Sequence, residues 1–367
     1  MPLSVDFPPL RIGVAGLGRA GLHHVERIGL REDCQVVALH DDCPAARERG
    51  GGLRAAMRAE WGELLADRDV ELVLLATPPA LHAELAIAAL AAGKHVLVET
   101  PLCLNVAEAD AVMVAARRSA RSVIVAHTRR WDDDFRTAQA TLDSGELGRP
   151  MALKLINRHF NPRRVRALSF SDRDARSLSG PAEASRGETG SDIPSQHTSS
   201  ASDDWHWRDH AASGGGALWE FGIHYFDQLL QLAARPAESV FARTWRAPGG
   251  ESDDGFLAIV NFGDDLVAQV EVNRAAAAAL STGWIIDGTF GSYAGSVKYL
   301  PTAQGEIVDL PVDPLEGAMD EFYSRLARHL RLGEANPVPP EEARGSIALI
   351  EAVHESSRSG DVARIRA

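Results

Sequence analysis

A glutamate and a histidine one helical turn apart have the types and spacing of an acid–base pair. Glu220 and His224 fall in residues 217–233, an apolar stretch whose period predicts a helix. At positions i and i+4 they share one face of that helix. A histidine beside a carboxylate can act as a general base with an orienting partner. The spacing also suits a histidine packed at a domain interface, and without a third ligand it is a poor metal site. Catalysis and simple packing both remain open, and no metal is predicted.

A second group of residues has the pattern of a phosphate-binding turn. Residues 10–22, LRIGVAGLGRAGL, contain an apolar strand, the glycines of a G-x-G-x-x-G turn and the start of a helix. Such glycines allow a tight turn, a close approach to pyrophosphate and close packing of helix on strand, and the helix N-terminus faces the anion. Asp41 ends the next predicted strand, where a dinucleotide fold places its ribose-binding acid. The predicted cofactor contacts here are Gly16, Leu17, Gly18, Arg19, Ala20, Gly21 and Asp41.

Acidic residues after the second strand bear on the choice of dinucleotide. Asp41 can accept hydrogen bonds from both ribose hydroxyls of NAD, and it would repel the 2′-phosphate of NADP. Asp42 adds negative charge, and the next arginine is Arg47. The sequence therefore favours NAD over NADP.

The first third of the chain alternates between strand-like and helix-like segments. Apolar runs at 72–76, 95–99 and 122–126 have the length of buried strands, and helical patterns lie between them. This alternation predicts the α/β class with a doubly wound parallel sheet, in which ligands bind at the carboxyl ends of the strands. The candidates at or just beyond those ends are Thr77, Pro78, His82 and Glu99. His82 could equally cap or pack its own helix.

The second half of the chain has a different pattern. Residues 165–203 are rich in Ser, Gly and Pro, which predicts a long mobile loop. A strand is predicted at 151–156, antiparallel strands at 255–262, 266–273 and 283–287, and closing helices at 316–332 and 340–357. Because 367 residues exceed a usual single domain, we predict two, at 1–128 and 129–367.

Composition excludes several classes of partner. The formal net charge of -13 argues against non-specific binding to nucleic acid or an anionic membrane. The most apolar region, residues 70–98, is broken by prolines and charged residues and is not a membrane span. Three scattered cysteines without metal-like spacing are typical of a reducing compartment. We therefore expect a cytoplasmic protein.

The order of these motifs resembles that of the Gfo/Idh/MocA oxidoreductases, the relatives of glucose–fructose oxidoreductase and inositol dehydrogenase. The resemblance rests on GLGRAG with Asp41, TPPALH at 77–82, ETP at 99–101, RRW at 129–131 and GGGALWEFGIHYFD at 214–227. It covers nearly the whole chain. It implies a Rossmann domain followed by a C-terminal α+β domain with an open, largely antiparallel sheet. It further implies NAD- or NADP-dependent oxidation or reduction of a sugar or cyclitol carbon, in a homodimer or homotetramer formed through the second sheet.

Carried over by position, the resemblance makes His224 the histidine that exchanges a proton with the reacting hydroxyl. Glu220 stands in place of the family's usual Asp. Thr100 stands in place of the lysine that positions substrate and polarises the reacting oxygen, and its hydroxyl carries no charge. The resemblance thus implies the catalytic residues His224, Glu220 and Thr100, and substrate contacts from Arg130, Trp207, Arg208 and His224.

The missing lysine leaves three hypotheses. The first is an NAD-dependent oxidoreductase acting on a polyhydroxylated small molecule, with His224 working alone or with a cation such as Arg129 or Arg130. The second is an enzyme that uses NAD transiently during glycoside cleavage or epimerisation. The third is an NAD-binding regulatory or structural protein. We take the first as the main hypothesis because His224 and the glycines at 214–216 are present.

Overall fold

The fold is described from a computed structural model. It describes residues 7–160, 207–246, 250–263 and 265–366. The loop predicted at 165–203 lies outside the described residues.

The first part of the chain forms a six-stranded sheet. Its strands are β1 (Leu10–Ala15), β2 (Cys34–His40), β3 (Ala56–Arg58), β4 (Leu72–Leu75), β5 (His95–Val98) and β6 (Val123–Val125). They lie in the order β3-β2-β1-β4-β5-β6, and every neighbouring pair is parallel. This is the strand order of a Rossmann fold, and it confirms the predicted doubly wound sheet. The central strands are continuous buried apolar runs, as a sheet covered on both faces requires.

Helices connect these strands as the sequence predicts. They are α1 (Arg19–Gly29), α2 (Pro44–Gly50), α3 (Trp61–Ala66), α4 (His82–Ala91) and α5 (Val106–Ser119), and α6 (Asp133–Asp143) leads to the second sheet. The side chain of Asn105 accepts a hydrogen bond from the N–H of Glu108, which caps α5 and sets its first turn.

The second sheet has nine strands. They are β7 (Pro150–Phe160), β8 (Ser239–Trp245), β9 (Gly255–Asn261), β10 (Val267–Asn273), β11 (Ala275–Gly288), β12 (Ser292–Ala294), β13 (Val297–Pro301), β14 (Ile307–Pro311) and β15 (Ala363–Arg364). Their order is β14-β13-β12-β11-β7-β10-β9-β8-β15. Only β7 and β10 pair in parallel among the described strands of this sheet. The sheet is therefore mixed and mostly antiparallel.

Three helices complete the described chain: α7 (Ile223–Ala233), α8 (Met319–Leu332) and α9 (Pro340–Ser359). The predicted single helix at 217–233 begins instead with a π-helical turn, Leu218–Gly222, which runs into α7. Helix α7 packs on β7, whereas α8 packs on β1, and α9 packs on β8, α5 and β6. Helix α9 thus contacts strands of both sheets.

The predicted boundary after residue 128 falls in a short 3-10 turn, Thr128–Trp131, between the sheets. The division into domains at that residue stays a prediction. Among the described residues, no helix is long and apolar enough to cross a membrane. The expected cytoplasmic location also stays a prediction.

Candidate active site at the carboxyl edge of the parallel sheet

The glycine turn after β1 is shaped by close backbone contacts. Gly16 has a φ of 93°, and a Cβ there would lie 2.5 Å from the carbonyl oxygen of Ala76. A Cβ on Gly21 would lie 1.9 Å from the carbonyl oxygen of Gly16. Gly18, the N-cap of α1, is different, because its Cβ position has no heavy atom within 4 Å. Protein atoms therefore crowd the Cβ positions of Gly16 and Gly21, whereas the Cβ position of Gly18 is open. An open side at this glycine lets a phosphate approach the backbone of the turn.

Asp41 lies beside this turn at the end of β2. Its Oδ2 accepts a hydrogen bond of 2.7 Å from the N–H of Leu17, and its Oδ1 accepts one of 2.8 Å from the N–H of Cys43. The carboxylate is thereby fixed next to the first residues of α1, Arg19 and Ala20. This is the arrangement expected for a ribose-binding acid.

The end of β4 carries Thr77 and Pro78 to the same edge of the sheet. The Oγ1 atom of Thr77 is buried and has no hydrogen-bond partner. Such an atom is uncommon in a folded protein, and one at a ligand-binding edge is suited to contact a bound group. We therefore take Thr77 as a good match for the expected nicotinamide side.

His82 has a different position from the expected one. Its Nδ1 lies 2.7 Å from the carbonyl oxygen of Pro101, its Nε2 lies 2.8 Å from that of Thr77, and its side chain is 1% exposed. Burial lowers the pKa of His82, so at neutral pH the ring has one proton and donates to one carbonyl at a time. Because both nitrogens face backbone oxygens, His82 ties two strand ends together and has no ring nitrogen free for a cofactor.

The catalytic candidates His224 and Thr100 meet across the two sheets. Nε2 of His224 lies 3.4 Å from Oγ1 of Thr100, and that oxygen lies 3.5 Å from Oε2 of Glu99. Glu99 accepts further hydrogen bonds, of 2.8 Å from the N–H of Thr100 and of 2.7 Å from Nε2 of His24. The structure therefore brings together three residues that the sequence placed in the site, and adds His24.

Two opposing effects set the charge of Glu99. Burial disfavours the ionised form, but the hydrogen bond and charge of His24 and the N–H of Thr100 outweigh it and lower the pKa of Glu99 to about 2. The carboxylate is consequently ionised at neutral pH. Its partner His24 is held in turn by the hydroxyl of Tyr323, 2.8 Å from Nδ1.

His224 is neutral at physiological pH. Burial lowers its pKa well below 6.5, the charge of Arg129 and the neighbouring His127 lower it further, and Glu99 opposes them. Its Nδ1 is buried without a partner, whereas Nε2 faces Thr100. A neutral imidazole can accept a proton, which is what a general base must do.

Glu220 does not orient His224, which corrects the expectation from their spacing. It lies on the π-helical turn, and its Oε2 accepts a hydrogen bond of 2.5 Å from Nη1 of Arg274. Arg208, whose guanidinium stacks on the ring of Trp207, lies 3.7 Å from the other carboxylate oxygen. Glu220 therefore pairs with Arg274 and Arg208, because two cations attract its charge more strongly than a neutral ring does.

Arg130 also differs from its expected place. Its guanidinium donates two hydrogen bonds, of 2.7 and 2.6 Å, to Asp227 and a third of 2.5 Å to Glu342. These contacts occupy all three guanidinium nitrogens, so Arg130 pairs with the buried Asp227 and the exposed Glu342 where substrate contact was expected. Its neighbour Arg129 is the cation that acts on His224.

His24, Arg274 and Tyr323 were missed by reasoning from sequence. A signal existed for His24 alone, because Gly21, His24 and Ile28 follow the helical period of the buried face of α1. Arg274 and Tyr323 come from distant elements, and no local pattern links them to the site. Among the described residues, no group of three or more His, Cys, Asp or Glu could hold a metal ion.

The residues present fit an NAD-type dinucleotide. The open face at Gly18 suits pyrophosphate, the carboxylate of Asp41 suits a ribose, and the unpaired Oγ1 of Thr77 lies on the expected nicotinamide side. All three are at the carboxyl edge of one parallel sheet.

Comparisons with known proteins agree with this geometry. The chain is 25% identical to the uncharacterized oxidoreductase YdgJ of Escherichia coli K12, covering 95% of this chain and 96% of that protein. It is 23% identical to the scyllo-inositol 2-dehydrogenase (NADP(+)) IolW of Bacillus subtilis, covering 95% and 94%. The structure of an NAD-binding protein from Listeria innocua has a TM-score of 0.77 at 26% identity and covers 96% of each chain.

Two family matches span both sheets. Residues 10–127 match the Gfo/Idh/MocA oxidoreductase family with its NAD-binding Rossmann fold, and residues 186–294 match the C-terminal domain of the same family. The strand order, the glycine turn and these matches lead to one assignment. The chain belongs to the Gfo/Idh/MocA family of oxidoreductases, and its N-terminal domain is an NAD-binding Rossmann fold.

Proposed function

We propose that this protein is an NAD-dependent oxidoreductase that transfers a hydride between nicotinamide and a carbon of a sugar, cyclitol or related polyhydroxylated molecule. The observation that carries the proposal is the position of His224. Its neutral imidazole meets Thr100 and the ionised Glu99 at the same sheet edge as the glycine turn. The name of the relative IolW supports a cyclitol or sugar as the substrate class.

NAD, when bound, supplies the carbon that accepts or releases the hydride. The glycine turn at 16–21 binds the pyrophosphate and Asp41 binds a ribose. His224 takes the proton from the reacting hydroxyl when a carbinol is oxidised, and returns it when a carbonyl is reduced. Thr100 positions Nε2 of His224 through its hydroxyl.

Arg129 supplies the positive charge that the missing lysine would otherwise carry. Its charge lowers the pKa of His224, whereas Arg130 is held by Asp227 and Glu342. A guanidinium stays charged at neutral pH, so it can polarise an oxygen without exchanging a proton. In this proposal, Arg129 supplies the positive charge of the missing lysine, and His224 exchanges the proton.

The cofactor preference follows from the acidic end of β2. Asp41 lies against the glycine turn and the side chain of Asp42 is 93% exposed beside it, so a 2′-phosphate would meet two negative charges. We therefore propose NAD over NADP, and expect Asp41→Ser to weaken NAD binding and improve NADP binding in fluorescence titrations.

The test of the function is NADH formation over a panel of sugars, cyclitols and sugar acids, with wild type, His224→Ala and Thr100→Lys. We expect turnover by wild type and a loss of roughly a thousandfold in His224→Ala, within the range for removal of a general base. NAD affinity, measured separately, should be unchanged in His224→Ala.

Two other outcomes separate the alternatives. Substrate consumption without net NADH would support transient use of NAD in glycoside cleavage or epimerisation. NAD binding with turnover only in Thr100→Lys would support a non-catalytic relative that lost its lysine. Either result would overturn the simple dehydrogenase.

We also propose that the second sheet pairs with another copy of the chain. One face packs on helices, but the other exposes Phe241 and Val267 beside half-buried Leu257 and Ile259. Apolar side chains on a sheet face favour association. Phe241→Glu should lower the oligomeric state in light scattering, whereas Leu30→Glu, at an exposed apolar residue after α1, should leave it unchanged.

A further inference from the structure

Two histidines in contact at the candidate site have ring nitrogens without partners. Among the described residues, both nitrogens of His127 and Nδ1 of His224 are buried with no hydrogen bond. The two rings are nearly perpendicular, with centroids 6.0 Å apart. A buried polar atom that loses water without gaining a partner destabilises the fold, so such atoms are few. Three of them in one contact point to a function.

A buried carboxylate fixes the expected tautomer of His127. Its Nδ1 lies 3.6 Å from Oδ2 of Asp227, and the two side chains are 1% and 2% exposed. Because a carboxylate can only accept, it favours the proton on Nδ1 of His127. A neutral ring then keeps its lone pair on Nε2. His127 thereby offers an acceptor in the contact with His224.

We propose that His127 is a positioning residue, and that with Nδ1–H directed at Asp227 its Nε2 accepts the Nδ1–H of His224, directly or through one buried water. This rests on the proposed function of His224 as the base. Hydrogen bonds at catalytic residues often tighten only when substrate binds, and a water can satisfy several buried polar groups at once. The arrangement accounts for all three unpaired nitrogens.

The consequence is a single useful tautomer of His224. With the proton on Nδ1, the lone pair lies on Nε2, and the one hydroxyl hydrogen of Thr100 then points to Nε2, 3.4 Å away, in place of Oε2 of Glu99, 3.5 Å away. During oxidation of a carbinol, Nε2 would accept the hydroxyl proton, and His224 would become an imidazolium held at Nδ1 by His127. A bound oxidised dinucleotide would supply the hydride acceptor. With the proton on Nε2 instead, no lone pair would face the reacting hydroxyl.

Burial keeps both rings neutral at rest, and the charged groups around this contact add to its effect or oppose it. Burial lowers the pKa of His127, with Asp227 opposing and Arg130 adding to the decrease. Arg129 and Glu99 act on His224 in opposite directions. Arg130 also pairs with Glu342 of α9. Neither ring is therefore ionised at rest. His127 determines which ring nitrogen of His224 carries the proton.

The test is the tautomer of His224 in the full-length protein without ligand, measured by two-bond proton–nitrogen spectra of histidine-labelled protein at neutral pH. His224→Gln identifies the resonances. We expect Nδ1–H in wild type, a shift toward Nε2–H in His127→Phe, and retention of Nδ1–H in His127→Gln, whose amide oxygen can accept. His23→Gln, at the exposed neighbour of His24, is the matched control and should resemble wild type.

The outcomes separate this inference from the function itself. Nε2–H in wild type, or an unchanged Nδ1–H in His127→Phe, would overturn the role of His127 even if the enzyme turns over. Because the spectra are recorded without ligand, they test the role of His127 even if no substrate is found. With a substrate in hand, we expect turnover about tenfold lower in His127→Phe with NAD affinity unchanged, and partial recovery in His127→Gln.

Discussion

The cofactor half and the catalytic half of the site are built in different ways. The cofactor half comes mainly from residues 10–41, with Thr77 added at the end of β4, and backbone approaches leave no space for a Cβ at Gly16 and Gly21. The catalytic half gathers side chains from distant elements: Thr100 and His224 are 124 residues apart. The first therefore depends on the shape of the main chain, and the second on keeping charged and polar partners together. Substitutions can test each dependence.

The largest effect is expected where a buried charge loses its partner. Arg130→Ala leaves Asp227, 2% exposed, without its guanidinium, and should lower the free energy of unfolding by about 3–5 kcal/mol. Lys298→Ala, which removes an ion pair with the exposed Glu146, should change it far less, because solvent screens the pair. Urea denaturation of both variants measures the difference. Equal losses of stability in the two variants would contradict the view that the catalytic half depends on buried charge pairs.

The two glycines of the turn should respond differently to one added methyl group. Gly21→Ala places a Cβ against the carbonyl oxygen of Gly16, so the backbone must shift, at about 3 kcal/mol of stability. Gly18→Ala meets nothing in the protein and should fold normally, yet bind NAD about tenfold more weakly because the methyl group occupies the approach of the phosphates. Thermal unfolding and NADH titration separate these results. Comparable unfolding in both variants would disprove the assignment of Gly18 to the ligand.

The last effect, which is visible only in acid, is expected from titration of Glu99. Its pKa of about 2 in the folded protein lies below the usual 4.5, so its stabilising contribution is complete above about pH 4.5 and is lost as the pH falls toward 2. Glu99→Gln should make the free energy of unfolding less dependent on pH between these two pH values. It should also reduce turnover.

Glu71 provides the control for that titration. Arg331 and Arg11 pair with it and outweigh burial, so its pKa is also about 2, but it lies outside the candidate site. Glu71→Gln should make the free energy of unfolding less dependent on pH over the same acidic range, while leaving turnover unchanged. Unfolding midpoints in urea from pH 2 to 6 provide the measurement.

The fold of the first sheet could be predicted because its signals are local. Each strand is an apolar run followed by a turn residue, and each helix has its own period, so the ends differ by a residue or two. Strand β3 was missed because its three residues are half-exposed and carry no run of apolar side chains. The short strands β12 to β14 were also missed, because each has five residues or fewer and none is a continuous buried apolar run.

The catalytic half was only partly predictable, because spacing along a helix does not choose among partners. The i, i+4 relation of Glu220 and His224 is real, but Arg274, 54 residues later, attracts the carboxylate. Equally, the family pattern pointed to Arg130, while its neighbour Arg129 acts on His224. Tertiary charge pairing decided both cases, and it lies beyond a single sequence.

The hydrogen bond between His24 and Tyr323 has a consequence for how the protein is made. The two residues are 299 apart, and Tyr323 belongs to the second-last helix. During translation the Rossmann strands leave the ribosome first and can form their sheet early. His24, the contact that keeps Glu99 ionised, gains its second partner only after α8 has been synthesised. A nascent chain can therefore acquire its dinucleotide fold well before its reactive carboxylate is fully supported.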